Sequence, residues 1–331
     1  MTLRLSVLDQ SPISQGQTGG DALRNSVDLA RLADRAGYFR YWVAEHHGTS
    51  MLAGTSPEIL IGPIAAATTH LRVGSGGVML PHYSPLKVAE TFSLLSALYP
   101  GRIDLAVGRA AGTDPVTAFA LQRDRRHAGP DDFPEQLSEL LAYVRDGLPR
   151  AHRFARLASL PGDPERPQPW LLGSSPQSGI WAAECGLPYA FADFIFPGGA
   201  EFARRYRAQF VPTPMQPSPY VVVCAWALCA ETDEEAHRLA ASSRMAFAHF
   251  LAGDPIRVPP VETALDFLAR RPDAMNAVSQ RRRAIIGTPA SVRERLEALR
   301  AEYEADEVMV VTITYDHDAR KRSYELLVNG R

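Results

Sequence analysis

The residues best able to do chemistry stand just after short apolar runs. Ala44-Glu45-His46-His47 follows one such run and sets two imidazoles side by side. Neighbouring side chains at a strand end point in different directions, so the pair is poorly placed to share a metal. No His-Glu-x-x-His spacing occurs in the chain either. The pattern suits one histidine acting as acid, base or hydrogen-bond donor, or a pair held in a loop by structural bonds. A second run ends Val73-Gly74-Ser75-Gly76-Gly77-Val78. It is not a dinucleotide fingerprint, because Met79 stands where the last glycine belongs. Glycines inside a strand signal close approach to the backbone, by packed protein or by a flat ligand ring. Arg109 closes Ala106-Val107-Gly108-Arg109, and its planar fork suits phosphate or carboxylate. Gly173-Ser174-Ser175-Pro176-Gln177-Ser178 joins three hydroxyls to the free N–H groups of a helix start, which can bind an anion or simply be a capped end. If both segments lie at one end of the fold, Arg109 with Ser174, Ser175 and Ser178 points to a phosphate site. No Gly-x-Ser-x-Gly elbow or Walker loop supports a serine hydrolase or an NTPase.

The elements that must position these residues alternate along the chain. Apolar runs over 3–8, 40–43, 71–79, 103–107, 170–172, 189–192, 220–228 and 308–312 predict eight strands, with amphipathic helices between them. Several runs are apolar throughout, as parallel strands covered by helices require. The pattern predicts an α/β fold, a (β/α)8 TIM barrel, as a single domain over 1–331 with its site at the carboxyl ends of the strands. An open doubly wound sheet is the rival. Ser56-Pro57, Ser84-Pro85, Ser175-Pro176 and Thr288-Pro289 read as helix starts, a capping hydroxyl followed by proline at the first helical position. Asp21 and Thr232 read as caps of two more helices, the first ending at Gly37. Two stretches break the alternation. Residues 110–168 form an elaborated segment after the fourth strand, with one helix over 134–147. Residues 253–287, with four interrupting prolines, read as a mobile lid before the last helix-strand unit.

Composition narrows the function classes. The 331 residues are 46% hydrophobic and 22% charged with a net charge of −2, which provides no general basic field for nucleic acid or an anionic membrane. The basic clusters Arg123, Arg125, Arg126 and Arg281, Arg282, Arg283 read as solvated faces. Cys185, Cys224 and Cys229 form no Cys-x-x-Cys pair and read as buried apolar residues of a reducing compartment. Five apart on one strand, Cys224 and Cys229 would face opposite sides. The longest apolar run, near 221–230, is about half a membrane helix, and the N-terminal apolar stretch is too short for a signal region. A cytoplasmic enzyme is the expectation.

Together the motifs resemble the bacterial luciferase-like flavin monooxygenases. The carriers are Gly37-Tyr38, Tyr41-Trp42 and Glu45-His46-His47; then Val73 through Pro81; Pro100-Gly101-Arg102 through Gly108-Arg109; and Trp181 through Pro188. Each is weak alone, but their order and spacing are specific. The resemblance is strongest over 1–115 and 168–195 and weak over 116–165 and 250–285. It implies a barrel that binds FMN at its strand ends, with His46 as the catalytic histidine. Gly76-Gly77 would be a non-prolyl cis peptide against the flavin, and Arg109, Ser175 and Ser178, with Ser174 helping, would hold the phosphate. Ser174 stands where the family often has an acidic residue. Gly108 stands where luciferases proper carry a cysteine, which argues against efficient light emission. The implied chemistry is a C4a-hydroperoxide formed from reduced FMN and O2, inserting one oxygen atom into a hydrophobic organic substrate. No metal is implied. A separate flavin reductase would supply reduced FMN, a lid over 253–287 would protect the site, and a homodimer is the family expectation. An F420-dependent oxidoreductase on the same barrel is the alternative. A non-catalytic flavin-binding partner subunit is another, though retention of His46 and Arg109 argues against it.

Overall fold

The computed structural model describes residues 3–110, 112–122, 131–145, 147–157 and 165–329. The cluster Arg123, Arg125, Arg126 lies outside them. In chain order the elements are β1 (Leu5–Asp9), α1 (Gly19–Ala36), β2 (Arg40–Val43), α2 (Pro57–Ala67), β3 (Arg72–Ser75), β4 (Val78–Met79), α3 (Pro85–Leu98) and β5 (Ile103–Gly108). Then come α4 (Pro115–Leu121), α5 (Phe133–Val144), β6 (Gln168–Gly173), α6 (Pro176–Glu184), β7 (Tyr189–Ala192), α7 (Ala200–Gln209) and β8 (Val221–Cys229). The chain closes with α8 (Asp233–Leu251), α9 (Val261–Arg270), α10 (Pro272–Arg281), β9 (Ala284–Gly287), α11 (Pro289–Glu302), β10 (Glu307–Val311) and α12 (His317–Asn329).

Every strand pairing is parallel. The order β10-β1-β2-β3-β5-β6-β7-β8 returns on itself where β8 pairs with β10, so the sheet closes into an eight-stranded barrel. The open doubly wound alternative is thereby excluded. Side chains alternate across the wall. Val7, Val73, Leu105 and Val223 face the helices, whereas Leu8, Trp42, Trp170, Cys224 and Met309 fill the interior. Cys224 belongs to the inner cluster and Cys229 to the outer one, as their spacing requires.

A network of buried charge ties the strands together. The Arg40 guanidinium, at the start of β2, spans Asp104 on β5 at 2.6 Å and Glu307 on β10 at 2.7 Å. Trp42 Nε1 donates to the same Asp104 carboxylate, and Tyr220 OH donates to Glu307. At the carboxyl end, Arg320 on α12 reaches Asp9 at 2.6 Å, and Tyr41 OH donates to Asp9. Each ion has an opposite charge and further hydrogen bonds, which a buried ion needs.

The structure departs from sequence expectation in several places. The run 71–79 is two strands, β3 and β4, separated by a cis Gly76–Gly77 peptide. Thr18, not Asp21, caps α1; Asp21 is the reciprocal partner three residues on, accepting from Thr18 N at 2.8 Å. Ser56, Ser84, Ser175 and Thr288 do sit before their helices, but none makes a side-chain capping bond. Proline at the first helical position already supplies the dihedral and removes one N–H group. The helix expected over 134–147 is α5, which starts and ends earlier. Residues 253–287 are not an irregular lid. They contain α9, α10 and a ninth-in-order strand, β9, which pairs along the carboxyl half of β8 from Trp226↔Ala284 to Cys229↔Gly287. Interrupting prolines at 260 and 272 start these helices and so hid them. Arg282 is not on a solvated face either: its guanidinium lies against the rings of Trp226 and Phe247.

Candidate active site

A cavity of about 460 Å³ opens at the carboxyl ends of the barrel strands. Its size falls in the usual range of small-molecule sites, roughly 300–1,000 Å³. His46, Gly76, Arg109, Ser174, Ser175 and Ser178 all contribute to its wall. These residues come from loops after four different strands, so the barrel brings together groups up to 132 positions apart in sequence (46 to 178). Gly77 does not line the cavity.

The loop after β2 sorts its two histidines. His46 N donates to Gly54 O at 2.8 Å, fixing the backbone and aiming the ring into the cavity. Glu45 and His47 take the other side. The fully buried Glu45 carboxylate meets His47 Nε2 at 2.8 Å and accepts from Met79 N at 2.9 Å and Tyr83 OH at 3.1 Å. His47 is therefore the structural member of the pair. The loop is also stapled to the chain after β5, where Thr113 Oγ1 donates to His47 O at 2.8 Å. His46 is half-buried, and its Nδ1 atom is buried with no hydrogen-bond partner. Burial, reinforced by His47, lowers the His46 pKa to about 4. At neutral pH the ring is uncharged and can present one donor and one acceptor nitrogen.

Packing explains the glycines beside it. A Cβ on Gly76 would lie 2.5 Å from Leu8 Cδ1, and one on Gly77 2.5 Å from Leu172 Cδ2 and 2.7 Å from Ala106 O. Gly108 would meet Leu172 at 3.0 Å. Protein atoms alone thus demand glycine at 77, where a backbone carbonyl is in the way, whereas at 76 the Leu8 side-chain tip would have to move. The bare backbone of Gly76 remains open to the cavity between Trp42 and Met79, which also line it.

The polar end of the cavity differs from expectation. Arg109 is half-exposed and engages the Asp131 carboxylate through both Nε and Nη2. Its guanidinium carbon also lies 5.6 Å from the Trp181 ring centre. Asp131 went unnoticed in the sequence, where it reads only as an acidic residue ahead of α5. Ser178 Oγ is buried, donates to Ser175 O at 2.7 Å and lies 3.0 Å from Tyr189 OH. It holds the turn into α6 rather than offering a free donor. Ser174 and Ser175 carry the available hydroxyls, next to the N–H groups at the start of α6. A guanidinium, two hydroxyls and a helix N-terminus on one rim suit a phosphate. The apolar wall below, with an unpartnered imidazole nitrogen, suits a flat ring and a hydrophobic ligand. Among the described residues, no group of three or more His, Cys, Asp or Glu side chains is placed to hold a metal ion.

The family of luciferase-like monooxygenases matches residues 3–306, and the chain belongs to it. The N-acetyl-S-alkylcysteine monooxygenase of Bacillus subtilis (strain 168) is 38% identical over 328 residues, spanning 98% of this chain and 97% of that protein. The crystal structure of apo-MsnO8 superposes with a TM-score of 0.90 at 42% identity, covering 99% of this chain and 98% of that one. More distant structures share the fold alone. They include the oxygenating constituent of 3,6-diketocamphane monooxygenase from Pseudomonas putida in complex with FMN, with a TM-score of 0.72 and 18% identity over 99% of this chain and 98% of that one. An F420-dependent secondary alcohol dehydrogenase superposes with a TM-score of 0.66 and 14% identity, covering 98% of each chain.

Proposed function

We propose that this chain is an FMN-dependent monooxygenase that uses reduced FMN and O2 to oxygenate a hydrophobic organic substrate. The observation that carries the reading is one cavity with two chemically distinct ends. One end offers Arg109, Ser174, Ser175 and the α6 N-terminus; the other offers the neutral, unpartnered His46 against an apolar wall. These residues fit a phosphate-bearing flavin. Arg109, Ser174 and Ser175 would hold the phosphate, with Ser178 supporting their turn, and the Gly76 backbone would border the ring. Bound reduced FMN would supply the electrons that activate O2.

The protein's own part is placement and exclusion. His46 Nδ1 has no competing partner in the protein, so it is free to hydrogen-bond the reacting oxygen or the substrate and to hold or pass a proton there. Leu8, Trp42, Met79 and Phe194 line the cavity and keep water out. The absence of a nicotinamide fingerprint supports delivery of reduced FMN by a separate flavin reductase. The reading includes a homodimer, as the resemblance to the family implies. Three unpaired cysteines support a cytoplasmic setting, and no described helix is long and apolar enough to cross a membrane. The chain acts as one domain in this reading.

Anaerobic titration tests the cofactor assignment. Purified protein should bind FMN, and bind it more tightly when reduced. Binding of F420 with no measurable binding of FMN would overturn the reading and favour hydride transfer on the same barrel.

A further inference from the structure

A second cavity, of about 200 Å³, lies between the carboxyl half of β8, β9, α8 and α10. β8 relates the two, although they share no lining residue: Cys224 lines the large cavity, and Trp226, two residues on and on the same inner face, lines the small one. Its other walls come from α8, through Ser243, Arg244 and Phe247, and from the end of α10, through Ser279 and Arg282. No carboxylate is among its lining residues.

Two arginines line it with no counter-ion among the described residues. The Arg282 guanidinium carbon lies 3.4 Å from the Phe247 ring centre and 4.1 Å from that of Trp226. Two aromatic faces hold it in a fixed plane. Its Nε atom is buried with no partner. Among the described residues Arg244 makes one side-chain hydrogen bond, 3.2 Å from His237 Nδ1, and no ion pair. Burial lowers the pKa of both, Arg282 to about 9, with no acid to offset it. The nearby acids are engaged elsewhere: Glu302 and Asp193 face Arg283, and Glu235 and Glu262 face Arg238. The fully buried arginines of this fold, Arg40 and Arg320, have carboxylates at 2.6–2.7 Å, whereas the half-buried Arg244 and Arg282 have none among the described residues. Leaving two half-buried guanidiniums in one pocket without an anion carries a desolvation cost. A pocket of that construction is complete once an oxyanion enters it.

We propose that Arg244 and Arg282 form an oxyanion subsite, related to the main cavity through β8, which receives a carboxylate or similar group carried by the substrate. This rests on the reading of the large cavity as the place of oxygenation. It narrows that substrate from any hydrophobic molecule to one with an apolar body and an anionic head. The planar fork of Arg282, held between two rings, selects a group that can accept two parallel N–H bonds. Arg244, from a different helix, closes the other side.

Calorimetric titration of the flavin-free protein tests this, using hexanoate, hexanamide and sulfate as probes. Hexanoate should bind wild type at least tenfold more tightly than hexanamide, and Arg282→Leu and Arg244→Met should each remove most of that preference. Arg282→Lys should restore it only in part, because a point charge replaces the fork. In anion-free buffer Arg282→Leu should melt no lower than wild type, since it deletes an unpartnered charge. Equal binding of hexanoate and hexanamide, or a preference that survives Arg282→Leu, overturns the proposal. So does a large loss of thermal stability in Arg282→Leu with no anion effect on wild type, which would make the residue structural. Binding of sulfate but not hexanoate would overturn the assignment to substrate. FMN titration is run separately, so a failure of the flavin reading leaves these outcomes readable.

Discussion

Acidification should weaken the folded protein through His46 by an amount that a His46→Gln variant does not share. Burial, with His47 adding to it, lowers the folded-state pKa of His46 from 6.5 to about 4. Between those values the unfolded chain takes up a proton at this ring that the folded chain refuses. The group's contribution is therefore complete above pH 6.5 and is lost as the pH falls towards 4. At about 1.4 kcal/mol per pH unit, the full window is worth roughly 3 kcal/mol, and about 2–3 kcal/mol has gone by pH 4.5. Urea unfolding at pH 7.5 and 4.5, on wild type and His46→Gln, isolates the term, because shared carboxylate titrations cancel in the double difference. Wild type should lose about 2–3 kcal/mol more than the variant. An NMR titration of the His46 ring should show a midpoint well below 6.5. If both proteins lose the same stability, or the ring titrates at or above 6.5, its surroundings are not desolvating and the neutral-imidazole role fails.

Four further substitutions probe neighbouring parts. Arg109→Ala should weaken FMN by about 1–2 kcal/mol, roughly 5- to 30-fold, a charge-assisted contact discounted because the side chain is 50% exposed. Asp131→Asn should tighten FMN instead, by releasing the fork; fluorescence titration reads both, and unchanged affinities would move the phosphate elsewhere. Gly77→Ala should cost about 1–3 kcal/mol in urea unfolding, since its Cβ would meet Leu172 and the Ala106 carbonyl with no flexible atom to yield on the backbone side. Glu45→Ala should cost about 1–3 kcal/mol by orphaning Met79 N–H, and should impair oxygen transfer by loosening the His46 loop; unchanged turnover would show that loop to be self-supporting.

The barrel was legible because its signals are local and repeated. Apolar runs and proline-marked helix starts depend on neighbours a few residues away. The site residues were legible one by one for the same reason: each follows a strand end. What escaped were pairings across the fold. Nothing in Asp131-Asp132 predicts that the first meets Arg109, because that contact joins two loops after β5. The division of labour between His46 and His47 depends on Glu45, whose partners lie 34 and 38 residues away. Four prolines made 253–287 look irregular, when Pro260 precedes one helix and Pro272 begins another. The Arg281-Arg282-Arg283 run looked uniformly solvated, yet Arg282 lies between two aromatic rings that only the packing of α8 and β8 supplies.

The fate of molecular oxygen tests the central claim most directly. The protein is loaded with reduced FMN anaerobically, then mixed with ¹⁸O₂ and a panel of apolar substrates with and without anionic heads, and products are read by mass spectrometry. The account predicts a product carrying one ¹⁸O atom, formed by wild type and sharply reduced in His46→Ala under conditions where that variant still binds FMN. Substrate oxidised without ¹⁸O, or at the same rate without O2, would contradict it.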